Sequence, residues 1–278
     1  MKSKFTRQIG YLFPLLLLVL MAIIFVFPLI IMFTTSLKTL DQAFDKNIGV
    51  LPPSLYLENY ARVFKIIPFF LYFGNTLWIT IMNVVGTVIC TPMVAYSLSK
   101  VRWAGRDFLF AILTSTLLIP YTVTMIPLYR LWTQAHLVGT FWPLIIPGFF
   151  GYPFYIVLLR LFMLTIPDEL LEAARIDGCN AWQRFSRVAL PLTKPGLATI
   201  VIFCFMFTFS DFLGPLLYAT SQKNYTLALG LHAFLNEHWI DWTGLMAAST
   251  LFILPILVVF IIGQKQFVEG ISTSGLKG

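Results

Sequence analysis

Residues 9–33 read IGYLFPLLLLVLMAIIFVFPLIIMF, a stretch with no Asp, Glu, Lys or Arg. A helix rises ~1.5 Å per residue and the hydrocarbon of a bilayer is ~30 Å thick, so about 20 such residues cross it. The same lack of charge recurs over 66–99, 108–129, 131–159, 195–210 and 242–264. These runs predict six membrane-spanning helices, near 10–36, 71–97, 108–131, 140–164, 195–220 and 243–266. The fifth reaches full length only by accepting Asp211. Barrel strands would alternate apolar and polar positions, and these runs do not. Lys2, Lys4 and Arg7 precede the first run as in a signal peptide. It is longer than a cleavable apolar region, however, and no small-residue cleavage site follows, so it reads as a retained helix. The fold class is all-α and polytopic.

Composition agrees. Of 278 residues, 58% are hydrophobic and 11% charged, against about 25% charged in soluble domains, and the mean hydropathy is +0.83. A soluble enzyme and a disordered chain are excluded. The net charge of +7 comes from scattered basic residues and does not point to nucleic acid. Placing the N-terminus in the cytoplasm puts thirteen Lys and Arg inside: Lys2, Lys4, Arg7, Lys100, Arg102, Arg106, Arg160, Arg175, Arg184, Arg187, Lys194, Lys265 and Lys277. Six fall outside: Lys38, Lys46, Arg62, Lys65, Arg130 and Lys223. That bias selects both termini inside. Cys90, Cys179 and Cys204 are odd in number and widely spaced, which argues against metal or disulfide chemistry. Residues 38–68, with Pro52-Pro53 and a charged run from Glu58 to Lys65, read as an outer loop with one short surface helix.

The most patterned polar segment is 165–195, TIPDELLEAARIDGCNAWQRFSRVALPLTKP. Pro167 suits a first helical position, and Asp168 and Glu169 suit a helix N-terminus. Gly178 suits a stop. Asn180 with Gln183 resembles a capping box opening a second helix. Trp182, Phe185 and Ala189 share one face of that helix, Pro191 ends it, and Pro195 opens the fifth span. From pattern alone, a hairpin that only ties two spans together is an equal reading.

Glu172-Ala173-Ala174, Asp177-Gly178 and the later Leu190-Pro191 resemble the EAA loop of binding-protein-dependent ABC transporter permeases. Met125-Ile126-Pro127-Leu128-Tyr129, Ile166 to Leu170, Met246 to Ser249, and the ending from Phe267 to Gly278 are similar to the carbohydrate branch, the maltose-permease type. The resemblance covers nearly the whole chain. It implies a single type-1 transmembrane domain, 1–278, with 165–195 as a cytoplasmic coupling loop between the fourth and fifth helices. It also implies partners: a second homologous permease, two copies of a cytoplasmic ATPase subunit, an extracytoplasmic solute-binding protein, membrane lipid and a sugar substrate. Glu172, Ala173, Ala174, Asp177 and Gly178 would meet the ATPase subunit, and Lys277 and Gly278 of the tail would reach toward it. A frayed tail is the alternative.

No cofactor is expected on this chain; ATP and Mg would sit on the ATPase partners. The nearest approach to a phosphate-cradling motif, Gly270 to Gly275, has Lys277 one position late and no helix following. An enzyme is not expected. Asp211 is the one carboxylate inside a span, and such acids face a cavity or a partner. Thr208, Asp211 and Tyr218 share a helical face with Cys204, Phe207, Gly214 and Pro215, and are candidates for lining a translocation path. The alternative is that Asp211 pairs with a neighbouring helix or caps a break before Gly214-Pro215. Where the family shows W-N-D/E-F-x-W-P, this chain has Phe209-Ser210-Asp211-Phe212-Leu213-Gly214-Pro215, so substrate contacts do not transfer. His136, His232 and His238 fall in outer loops; His232, Glu237, His238 and Asp241 lack the spacing of a metal site and read as solvated loop residues. Two rival functions stay open: a permease for a non-sugar solute such as a phosphorylated polyol, and a stand-alone proton-coupled carrier using Asp211.

Overall fold

A computed structural model describes the backbone at residues 2–235 and 240–275, and side chains at 14–235 and 240–265. Glu237, His238, Lys277 and Gly278 lie outside the described residues. Among those described, the chain is helical, and its one β feature is an isolated bridge between Leu235 and Ile240. Two compact units are present: 1–68 with 231–253, and 69–230 with 254–278.

The first unit holds α1 (Lys2–Ser36), α2 (Leu40–Phe44), α3 (Glu58–Ile66) and the opening turns of α14 (Trp242–Gly275). The stretch Pro14–Ser36 of α1 buries almost none of its apolar surface within the chain, as a helix facing lipid or another subunit does. Two short helices, not one, occupy the loop that follows. Thr39 and Gln42 form a reciprocal capping box, Thr39 Oγ1 accepting from Gln42 N at 3.3 Å and Gln42 Oε1 accepting from Thr39 N at 3.2 Å. That spacing is a helix-start signature.

Asp241 is also not a solvated loop residue. It is 1% exposed and takes Arg62 Nη1 at 3.1 and 3.2 Å and Gly244 N at 2.9 Å. Arg62 Nη2 donates in turn to Asn59 Oδ1, and Asn59 Nδ2 donates to the carbonyls of Ser36 and Lys38 at 2.8 Å. A buried carboxylate requires such partners. This one fastens the exit of α1, α3 and the entry of α14 to one another.

In the second unit α4 (Phe69–Lys100) is the central helix. It packs on α7 (Trp142–Phe150), α8 (Pro153–Leu164) and α11 (Lys194–Phe209). A Cβ at Gly86 would lie 2.8 Å from the Gly148 carbonyl carbon, so the backbones of α4 and α7 meet through two glycines, as small residues allow in membrane helix pairs. Asn83 adds polar cross-links: Nδ2 donates to the carbonyls of Ile79 at 2.9 Å and Leu144 at 2.8 Å, and Oδ1 accepts from Tyr152 Oη at 2.9 Å. Thr76, Thr80, Asn83, Thr87 and Thr91, all fully buried, form a polar stripe down α4. Scanning the sequence for charges passes over that stripe.

Among the described residues four helices are long and apolar enough to cross a membrane: Pro14–Ser36, Phe69–Lys100, Trp142–Leu164 and Trp242–Lys265. Two bent pairs would raise the number to six. One is α5 (Arg106–Thr116) with α6 (Tyr121–Gln134), bent by 100°; the other is α10 (Ala181–Leu192) with α11, bent by 74°. Pro120 stands at the first bend with extended backbone, φ −61° and ψ 138°, where a continuing helix would need its missing N–H. The fifth expected span is interrupted as well. The chain leaves helix after Phe209 and resumes as α12 (Leu213–Tyr218).

Candidate functional site

Residues 165–195 fold as a helical hairpin. Pro167 is the residue before the first turn, not its first member, and α9 (Asp168–Ile176) follows. Its C-terminus closes as a Schellman motif: Cys179 N donates to Ala174 O at 2.9 Å and Gly178 N to Arg175 O at 3.1 Å. Gly178 takes φ +81° there, a left-handed value that glycine adopts without steric cost. Asn180 and Gln183 then form the reciprocal box that opens α10, both bonds 2.9 Å.

Pro191 does not end α10. Residues Arg184–Ala189 form a π-helical stretch, with Leu190 N reaching Phe185 O, and the helix runs on to Leu192. The wider turn changes which carbonyl lies beneath the proline ring, and so accommodates it. Trp182 also departs from expectation. Phe185 and Ala189 are buried, whereas Trp182 is 60% exposed and lies tilted at 47° against the Phe185 ring, with centroids 5.3 Å apart.

The inner face of the hairpin belongs to a larger core. Leu171, Phe185 and Ala189 pack in one apolar cluster with Ala95 and Tyr96 of α4, Tyr155, Leu159 and Met163 of α8, and Ile200 and Cys204 of α11. Lys100 Nζ, at the end of α4, donates to Ile166 O and Asp168 Oδ1, both at 2.6 Å. That hydrogen bond holds the Asp168 carboxyl below its usual range. The outer face is open: Glu172, Ala173, Ile176, Asp177 and Gly178 are exposed. Ala174, expected beside them, turns inward and is 8% exposed. Ile176, at 87% exposure, is the residue that sequence reading passed over; an isoleucine directly before Asp-Gly at a helix end was the available signal.

The second locality is a cavity of about 40 Å³ bounded by Thr76, Ile79, Leu144, Tyr152, Phe207, Thr208, Asp211, Pro215 and Thr226. That volume takes a water or two and is too small for a sugar ring. Asp211 does two things here. It borders the cavity, and its Oδ1 accepts from Gly214 N at 3.1 Å, capping the turn before Gly214-Pro215. Thr76 Oγ1 donates to Tyr72 O at 2.7 Å and accepts from Leu227 N at 2.8 Å, fixing the wall formed by the segment after α12. Tyr218 is not brought to the cavity. The break at Ser210–Phe212 rotates α12, and Tyr218 stacks on Tyr129 with centroids 6.1 Å apart while its carbonyl accepts from Gly139 N at 2.8 Å.

A chain of apolar, membrane-length helices whose polar hairpin shares a core with them has the build of a membrane transport subunit. It belongs to the family of binding-protein-dependent transport system inner membrane components, whose pattern matches residues 52–273. It is similar to the arabinooligosaccharides transport system permease AraQ of Halalkalibacterium halodurans, 33% identical with 92% of this chain and 93% of that one covered. It is also similar to the diacetylchitobiose uptake system permease DasC of Streptomyces coelicolor, 30% identical over 97% and 98%. Among solved structures it resembles a bacterial ABC transporter involved in import of the acidic polysaccharide alginate, with a TM-score of 0.80, 26% identity, and 94% and 98% coverage. The chain is therefore an ABC permease subunit and not an enzyme, and membership sets aside the stand-alone proton-coupled carrier.

Proposed function

We propose that this chain forms half of the translocation pathway of an importer for a sugar or oligosaccharide and transmits work to it from a separate ATPase subunit through the 165–195 hairpin. The companion half would be a second homologous permease. Two ATPase subunits carrying ATP and Mg would bind inside, and an extracytoplasmic binding protein would deliver the solute. Six spans with both termini in the cytoplasm put the hairpin on the ATPase side. Saccharide relatives on both sides of the comparison, permeases and solved transporter, support the substrate class.

One observation carries the reading. The hairpin has an open outer face beside an inner face that shares a core with the helices leading to the Asp211 cavity. Packed interiors move as units and do not yield smoothly, so displacement of α9 would be passed to α4, α8 and α11. Glu172 offers a charge that orients a partner's basic group, and Ile176 offers apolar area for a socket. Cys204 lies one turn from Thr208, so the core reaches the cavity through α11 itself. In this reading Thr208 and Asp211 line the pathway, with Tyr218 behind it. The tail residues Lys277 and Gly278 belong to the proposal as a second contact with the ATPase pair.

The test is Glu172→Lys and Gly178→Trp in the assembled transporter. A side chain at Gly178 meets nothing within 4 Å in this chain, so its added bulk falls on the partner; the left-handed φ of +81° adds about 1–2 kcal/mol of local strain, which Glu172→Lys does not carry. Both variants are expected in the membrane at normal amounts, with uptake reduced at least about tenfold, a loss of about 1.4 kcal/mol of coupling. Normal uptake in both overturns the assignment.

A further inference from the structure

The turn joining α4 to α5 carries chemistry that the transport reading does not use. Arg102, Trp103, Gly105, Arg106, Asp107 and Phe108 line an open depression of about 340 Å³. Arg102 forms no salt bridge among the described residues. Arg106 donates through Nε to Asp107 Oδ1 at 2.9 Å, and its two terminal nitrogens make no hydrogen bond among the described residues. Lys100 is already engaged by Ile166 O and Asp168, so the two guanidinium groups are the basic groups left at the mouth. Arg160 adds positive field from behind, lying 3.9 Å over the Phe110 ring.

The depression is graded from charge to hydrocarbon. Trp103 sits between the two arginines in sequence, with Nε1 donating to Ser97 O at 3.2 Å. Directly along α5 come Phe108 at 69%, Leu109 at 49% and Ile112 at 47% exposure. A free inorganic anion would use the arginines and leave the apolar strip bare. A phospholipid presents both parts in that order, a phosphodiester and then acyl chains. Basic pockets at the cytoplasmic ends of transmembrane helices hold anionic headgroups in this way, and tryptophan favours the same interfacial depth.

We propose that the α4–α5 turn binds an anionic phospholipid of the inner leaflet. Arg102 and Arg106 hold its phosphate, Trp103 lies at the interface, and Phe108, Leu109 and Ile112 contact its acyl chains. The choice of leaflet rests on the topology proposed above. The binding itself does not, because a bilayer symmetric in composition offers the lipid on both sides.

The test is lipid retention by the full chain, purified with its accompanying subunits from nanodiscs of phosphatidylcholine and phosphatidylglycerol and read by native mass spectrometry. Each basic group at an anionic surface contributes about fivefold. Arg102→Gln/Arg106→Gln is therefore expected to lower retained phosphatidylglycerol about 25-fold, with Lys223→Gln unchanged. Arg102 has no internal ion pair, so Arg102→Gln alone keeps the test alive if the double variant misfolds; about fivefold is then expected. Equal retention in wild type and variants overturns the site. Displacement of phosphatidylglycerol by millimolar inorganic phosphate overturns the lipid in favour of a free anion. Failure of the hairpin variants to uncouple would leave this result untouched.

Discussion

Asp168 shows what a single pairing contributes and how its sign is fixed. Lys100 is almost fully covered, 5% exposed at its side chain, whereas Asp168 is 68% exposed, so solvent screens the pair and its contribution is small. The hydrogen bond from Lys100 lowers the Asp168 pKa from its ordinary value. A depressed carboxylate adds stability above its unfolded pKa of ~3.9 and loses it as pH falls through the lower folded value. Asp168→Asn should therefore lower the melting temperature of the detergent-solubilised protein at pH 7, with the difference from wild type fading only below ~pH 4. A difference that persists unchanged at low pH would mean that shape, not charge, is responsible. Sequence reading counted Lys100 only as a topological charge. Its partner lies 68 positions away, and nothing in either local pattern points across that distance. Asn83 escaped for a related reason: an uncharged amide in an apolar run leaves hydropathy almost unchanged while tying three elements together.

Helix ends were legible where local chemistry decides them, and bends were not. The Asn180–Gln183 box and the left-handed Gly178 follow from side chains a few residues apart, so their spacing in the sequence was enough. Pro191 was read as a terminus because a proline ring clashes with an α-helical carbonyl, yet the preceding π-helical stretch removes that clash, and only the packed core sets that register. The break between α11 and α12 is the element whose function can be separated from its stability. Asp211 Oδ1 takes the Gly214 N–H, and Asn at 211 keeps that acceptor while removing the charge. Asp211→Asn is expected to melt within about 0.5 kcal/mol of wild type, and Asp211→Leu to lose about 1 kcal/mol, the size of a lost cap. If the charge matters to solute passage, both variants transport poorly and only the leucine variant is unstable. Uptake by Asp211→Asn at the wild-type rate would reduce the residue to its cap.

At the scale of the whole chain, the bent pairs decide which side of the membrane everything after α4 occupies. Suppose Arg106–Gln134 and Ala181–Phe209 dip into the bilayer and return, giving four crossings. Trp142–Leu164 would then run outward, and the hairpin with Arg175, Arg184 and Arg187 would lie outside. Arg160, Lys194, Lys38, Lys46, Arg62, Lys65 and Lys223 would join them, ten basic residues outside against nine inside. With six crossings the same residues divide thirteen inside to six outside. Positive charge collects in cytoplasmic segments, so the bent pairs are read as spans despite angles of 100° and 74°. Backbone broken at membrane depth is tolerated where protein or a cavity satisfies it, and the segment between α11 and α12 borders such a cavity. Labelling intact cells with a membrane-impermeant maleimide separates the two arrangements, because Asn47 and Gln134 are both exposed. Cysteines introduced singly at these positions should react from outside, while the native Cys179 of the hairpin should react only after permeabilisation. Protection of the Gln134→Cys variant together with outside labelling of Cys179 would establish four crossings. It would also place the hairpin where no cytoplasmic ATPase can reach it.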